Sequence, residues 1–87
     1  MVKLEGTEKQ VQWGEQVRSD ALRELKSSID DGWDPRLADI IVRFCGRVTS
    51  AKWWIDNRHL LRTTADICRL AEKSSERVRK EKAKLSE

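Results

Sequence analysis

Apolar residues recur at the spacing of an α-helix along most of this chain, and this period limits the fold more than any other feature. No stretch shows the alternation of apolar and polar residues that predicts a β-strand. The sequence therefore predicts an all-α fold, a small bundle of three to four helices. The pattern is clearest in the first third, at Val11, Trp13, Val17, Ala21, Leu22, Leu25 and Ile29.

Capping residues mark the beginning of the first helix. Thr7 is followed three residues later by Gln10, which is the capping-box pattern in which each side chain bonds the other's backbone N–H. These residues and the apolar stripe predict a first helix at about 7–29. Gly14 lowers helix propensity inside this segment, and a close approach of another helix would explain its presence.

The segment DDGWDP separates the first helix from the second. Gly32 can adopt positive φ and end a helix, whereas Asp34 is a good N-cap and Pro35 suits the first helical position. The apolar residues that follow predict a second helix at about 35–45.

The ends of the later helices are less marked, because no glycine or proline follows Gly46. We expect a short third helix at about 50–57 and a longer fourth helix at about 61–80, the latter capped by Thr63 or Thr64. The alternative is one continuous helix with a single apolar stripe through Trp53, Leu60, Leu61, Thr64, Ile67, Cys68, Ala71, Ser75 and Val78.

The charge is distributed unevenly along the 87 residues, which suffice for a single domain. Residues 1–72 carry equal numbers of basic and acidic side chains, so the net charge of +3 resides in residues 73–87. Only two large apolar residues, Val78 and Leu85, lie in this last segment. We therefore predict a helical domain at 1–72 and a solvated or fraying, basic helix end or tail at 73–87.

The apolar faces of the predicted helices should share one core, and one charged residue lies among them. Arg18 falls inside the apolar stripe of the first helix, so it needs a partner, and Asp56 is the carboxylate that we expect to pair with it. The core is predicted to contain Trp13, Leu25, Ile41, Phe44, Trp53 and Leu61.

The two cysteines match no zinc or redox spacing. We expect Cys45 and Cys68 to be free thiols, buried on the apolar faces of the second and fourth helices. The chain has no apolar run typical of a signal peptide or a membrane span, and we expect a cytoplasmic protein.

Catalytic motifs are absent from the sequence. His59 is the one histidine, and there is no phosphate-binding glycine loop, no nucleophile elbow and no zinc-protease motif. We therefore expect no enzymatic activity, no cofactor and no metal ion.

Tryptophan and arginine residues outside the predicted core are candidates for partner binding, because these types dominate interface hot spots. Adjacent helical residues point about 100° apart, so Trp53 is expected in the core and Trp54 at its edge, near Arg58. The candidate partner-binding residues are Trp33, Arg43, Arg47, Trp54 and Arg58.

Two stretches of the chain also have a recognisable pattern. The first is GTEKQ at 6–10, followed by Trp13 and Arg18, and the second is AKWWIDNR at 51–58. Together they resemble a small, poorly characterised helical domain of bacteriophage and mobile-element proteins. The resemblance implies a binding role, since small phage proteins of this kind include anti-CRISPR proteins that block host defence complexes.

Three functions remain open from the sequence. The first is a non-enzymatic protein-binding module of phage type, such as an inhibitor of a host CRISPR-Cas complex. The second is a helical oligomer whose interface is the tryptophan face. The third is a small nucleic-acid-binding protein that uses the basic tail together with Arg36, Arg43, Arg47, Lys52, Arg58 and Arg62.

Overall fold

A computed structural model describes residues 2–86 and confirms the all-α small bundle. Met1, the first residue of the predicted segment 1–72, and Glu87, the last residue of the predicted segment 73–87, lie outside the described residues. Within 2–86 the only β-type pairing is an isolated parallel bridge between Glu5 and Ser50. The elements in chain order are α1 Glu8–Asp30, α2 Pro35–Arg47, α3 Ala51–Asp56, a 3-10 turn Arg58–Leu60, α4 Thr64–Ser74 and α5 Glu76–Lys84.

The predicted caps of α1 and α2 are confirmed. The Thr7 hydroxyl accepts from the Gln10 N–H at 3.2 Å, and the Gln10 side chain accepts from the Thr7 N–H at 3.0 Å. Gly32 has a φ of 98° after α1, where a side chain would be strained. Asp34 then accepts from the Arg36 N–H, and the neighbouring guanidinium lowers the pKa of this carboxyl group.

The region after α3 contains a real break, so the alternative of one continuous helix is wrong. α3 ends at Asp56 and the 3-10 turn follows. Thr63 caps α4, since its hydroxyl accepts from the Asp66 N–H at 3.2 Å. The fourth helix therefore begins at Thr64 rather than at 61.

The predicted helix at 61–80 is also wrong at its other end, because the chain leaves the helix at Ser75. Ser75 is extended, with φ −139° and ψ 117°, and its hydroxyl accepts from the Val78 N–H at 3.3 Å. It thus caps a separate helix, α5. Val78 is fully buried and Leu85 packs against the core, so these two residues anchor α5 to the bundle, while most of its other side chains are exposed.

The core lies between α1 and the other helices, and four of the six predicted core residues are buried: Leu25, Ile41, Phe44 and Leu61. The prediction is wrong for Trp13, which is 50% exposed, whereas Trp53 is half-buried and packs against the core. Trp54 occupies the core instead, with no exposed surface.

α1 and α3 approach each other closely at Gly14. A Cβ on Gly14 would lie 3.0 Å from the Cα of Ala51, which confirms that a neighbouring helix requires this glycine. The lead-in segment holds the same junction, because the Glu5 N–H donates to the Thr49 carbonyl at 2.7 Å and the Ala51 N–H to the Glu5 carbonyl at 2.9 Å.

Both cysteines are free and buried, as predicted. Burial raises the pKa of Cys45 to about 12 and also raises the pKa of Cys68, so both thiols stay protonated near neutral pH. No helix within residues 2–86 is both long enough and apolar enough to cross a membrane.

Candidate functional site: the surface around Trp13 and Arg58

Trp54, predicted at the edge of the core, is unavailable to a partner. Its ring is fully buried and its indole N–H donates to the Val48 carbonyl at 3.1 Å. The buried side of α3 consists of Ala51, Trp54 and Ile55, at positions i, i+3 and i+4. Trp53 lies off this line and packs edge-on against Trp54, with ring centroids 5.1 Å apart.

The other predicted binding residues lie on different elements. Trp33, in the loop between α1 and α2, is half-buried and packs against the core. Arg43 lies between two carboxylates, 3.1 Å from Asp39 and 3.3 Å from Glu81 of α5. Arg47 is exposed in the last turn of α2.

Arg58 is exposed, and it stacks on a tryptophan that the sequence placed in the core. Its guanidinium carbon lies 4.9 Å from the ring centroid of Trp13. Arg58 also donates to the Ile55 carbonyl at 2.7 Å, which holds the guanidinium over the ring. The pair thus presents a large apolar ring and an oriented cation together at the surface.

The contact between α1 and α3 explains this position of Trp13. Gly14 faces Ala51 at a close contact, and the preceding residue points about 100° away from that contact. Trp13 is therefore directed past α3 toward the 3-10 turn that begins at Arg58. Gly14 was the sequence signal for this position of Trp13, since the smallest residue marks the centre of a tightly packed helix face.

A cleft of about 380 Å³ adjoins the pair, between α1 and the segment after α3. Val17 lines it one turn after Trp13, and Arg62 extends the positive charge beyond Arg58. We define the Trp13 surface as Trp13, Val17, Arg58 and Arg62. Asp20 and Glu24 of α1 line the same cleft, so its walls carry both signs of charge.

The predicted ion pair between Arg18 and Asp56 is wrong. Arg18 donates to the Val2 carbonyl at 2.7 Å and so anchors the lead-in segment along α1. Asp56 bonds Lys52 at 2.8 Å, and this contact raises the pKa of the lysine. Both contacts have structural roles. Arg18 lies beside the apolar face of α1, and an arginine in such a position can reach a backbone acceptor at the rim of the core.

About half of the basic residues proposed for nucleic acid form salt bridges with carboxylates. Of the six cations named outside the tail, Arg36, Arg43 and Lys52 form salt bridges within residues 2–86. In α5 the partners are again nearby carboxylates: Arg77 with Glu81, Lys80 with Glu76 and Lys82 with Glu72. Carboxylates thus pair with half of the six cations of residues 73–87.

The described part of the chain contains no cluster of three or more His, Cys, Asp or Glu side chains that could hold a metal ion. His59 is exposed in the 3-10 turn next to Arg58. Comparison of the chain with protein-family models, with curated proteins and with solved structures finds no match.

Proposed function

We propose that this chain is a non-enzymatic protein-binding module and that the Trp13 surface is its contact site. One observation carries the proposal: Trp13 keeps half of a large ring in solvent, with Arg58 fixed over it. The core accommodates another tryptophan completely, so the exposure of Trp13 is not a general property of this residue type in the bundle.

The exposed ring offers substantial binding energy. Covering half of a side chain of ~250 Å² at ~25 cal/mol per Å² is worth about 3 kcal/mol. The stacked arginine is already ordered by its bond to Ile55, so a partner loses less entropy in engaging it. Tryptophan and arginine together are the typical composition of an interface hot spot.

The two stretches with phage resemblance pack against each other, and their contact extends to this surface. Gly6, Gln10 and Trp13 belong to the first stretch, and a Cβ on Gly6 would lie 3.3 Å from the Cβ of Ala51 in the second. Arg58, which ends the second stretch, covers the ring of Trp13. The resemblance supports a phage or mobile-element module that acts in the cytoplasm on a host defence nuclease complex of the CRISPR-Cas type.

Nucleic-acid binding is the rival function, and it is weakened by the pairing of Arg36, Arg43 and Lys52 with carboxylates. Phosphate binding draws its energy from unneutralised cations that displace counterions. Carboxylates within salt-bridge distance reduce the positive potential of α5 and of Arg36 and Arg43.

Binding measurements on purified CRISPR-Cas nuclease complexes, with duplex DNA and single-stranded RNA as the competing ligands, test the proposal. Trp13→Ala should weaken binding to the protein target about ten- to hundredfold, and Arg58→Ala about tenfold. Arg58 is exposed, so Arg58→Ala should lower the thermal midpoint by only a few degrees. Trp13→Ala also loses the buried half of the side chain, so its binding is measured well below its own thermal midpoint.

Matched controls are Leu60→Ala, which removes an apolar side chain that is 39% exposed, and Arg69→Ala, which removes an exposed arginine of α4. Neither residue lies in the Trp13 surface, so binding should be unchanged. Binding to nucleic acid that falls steeply with salt, with no protein target bound, would establish the rival function instead.

A further inference from the structure

A second surface of the bundle is an open apolar groove of about 470 Å³ between α1 and α2. Leu22 and Ile29 of α1 and Pro35 and Val42 of α2 form its apolar lining, with the buried Ala38 at the base. Ile29 is 42% exposed although it belongs to the apolar stripe of its helix. The groove lies apart from the Trp13 surface and does not contribute to it.

The two walls of this groove carry opposite charges. Lys26 stands on the α1 wall, and Asp39 stands on the α2 wall. Asp39 contacts Arg43 at 3.1 Å, but its side chain remains 65% exposed. A surface with one cation on one wall and one anion on the other is complementary to itself under a two-fold rotation.

We propose that a second copy of this chain occupies the groove. In a two-fold arrangement the α1 ridge with Ile29 of each copy inserts between the walls of the other, as ridges pack into grooves between helices. Lys26 of each copy then faces Asp39 of its partner, so the charge contact is made twice. This homodimer does not depend on the proposed function of the Trp13 surface.

The size of the groove indicates a weak dimer. A stable interface buries about 800 Å² per partner and about 20–30 residues on each side. An interface of that size would take a substantial part of the 5729 Å² that the whole chain exposes, whereas eight residues line the groove. We therefore expect a dimer with a dissociation constant in the micromolar to millimolar range.

Sedimentation equilibrium over micromolar to millimolar protein concentrations tests this dimer. Ile29→Ser should raise the dissociation constant about tenfold or more, with an unchanged circular dichroism spectrum as the check on folding. Lys26→Glu alone and Asp39→Lys alone should each weaken self-association, since each places like charges opposite one another.

An equimolar mixture of the two single variants is the decisive measurement. In that heterodimer Glu replaces Lys26 in one chain and Lys replaces Asp39 in the other, so both contacts are again attractive and association should recover. Lys9→Glu and Glu15→Lys are the matched controls, because they change net charge equally on exposed positions of α1 outside the groove. A monomer at every concentration overturns the proposal, as does a mixture that associates no better than either single groove variant alone.

Discussion

Gly14 determines where Trp13 points, although it contributes no side chain of its own. A Cβ at this position would lie 3.0 Å from the Cα of Ala51 and 3.1 Å from its carbonyl oxygen. Both are backbone atoms of α3, so neither can move aside without shifting the helix. The candidate binding residue thus depends on its smallest neighbour.

Gly14→Ala should therefore destabilise the protein, although alanine has the higher helix propensity. Propensity alone favours alanine by about 1 kcal/mol, while overpacking against a fixed backbone costs about 1–3 kcal/mol. We expect a net loss of about 1 kcal/mol in the free energy of unfolding, measured by urea denaturation.

Ser19→Ala provides the control for this change, because Ser19 is exposed on the same helix. It should be neutral or slightly stabilising through propensity alone. If Gly14→Ala were as stable as Ser19→Ala, the close contact with Ala51 would not limit the packing of α1.

Among the helices, those with strong local signals were predictable from sequence. α1 and α2 begin at caps whose bonding partners lie two or three residues away, so neighbouring residues suffice to predict them. The break at Ser75 has no glycine or proline, and serine caps a helix only where the chain has already left helical geometry. That departure accompanies the packing of α5 on α2, which a single sequence does not reveal.

The exchange of roles between Trp53 and Trp54 has a related cause. The predicted stripe through Trp53, Leu60 and Leu61 assumes that the helical phase continues past residue 56. The 3-10 turn interrupts that phase, so the buried face of α3 is set by Ala51 against Gly14 instead. Candidate binding residues near such a break are therefore the hardest to assign from periodicity.

The packing of α5 leads to a prediction about its one fully buried residue. Val78→Ala removes two methyl groups at a site with no exposed surface, where α5 packs with α2 and α4. We expect a loss of about 1–3 kcal/mol in the free energy of unfolding, by analogy with other large-to-small core changes.

Lys80→Ala is the matched control in the same helix. Lys80 is exposed and its salt bridge to Glu76 is open to solvent, so the change should be worth less than about 0.5 kcal/mol. Equal effects of the two substitutions would show that Val78 does not anchor α5 and that this segment is the solvated tail expected from sequence.

At the scale of the whole molecule, α1 carries both proposed surfaces. Trp13 lies near its beginning and Ile29 near its end, and at ~1.5 Å per residue these positions are about 24 Å apart along the helix. The two surfaces can therefore be engaged at the same time, and a dimer through the groove would present two copies of the Trp13 surface. A target with two sites would then bind with higher avidity than one with a single site.

The same helix makes the fold cooperative, because α1 packs against α2, α3 and α4. Leu25 of α1 has no exposed surface, and Leu25→Ala should cost about 2–5 kcal/mol in the free energy of unfolding. A domain of this size has roughly 5–10 kcal/mol in total, so the loss is a large fraction of its stability. At about 4–8 °C per kcal/mol, the thermal midpoint should fall by at least ~8 °C. Tryptophan fluorescence and far-ultraviolet circular dichroism should report one shared unfolding transition, both in the unchanged protein and in the Leu25→Ala variant. Two separate transitions would mean that the helices do not depend on a common core around α1.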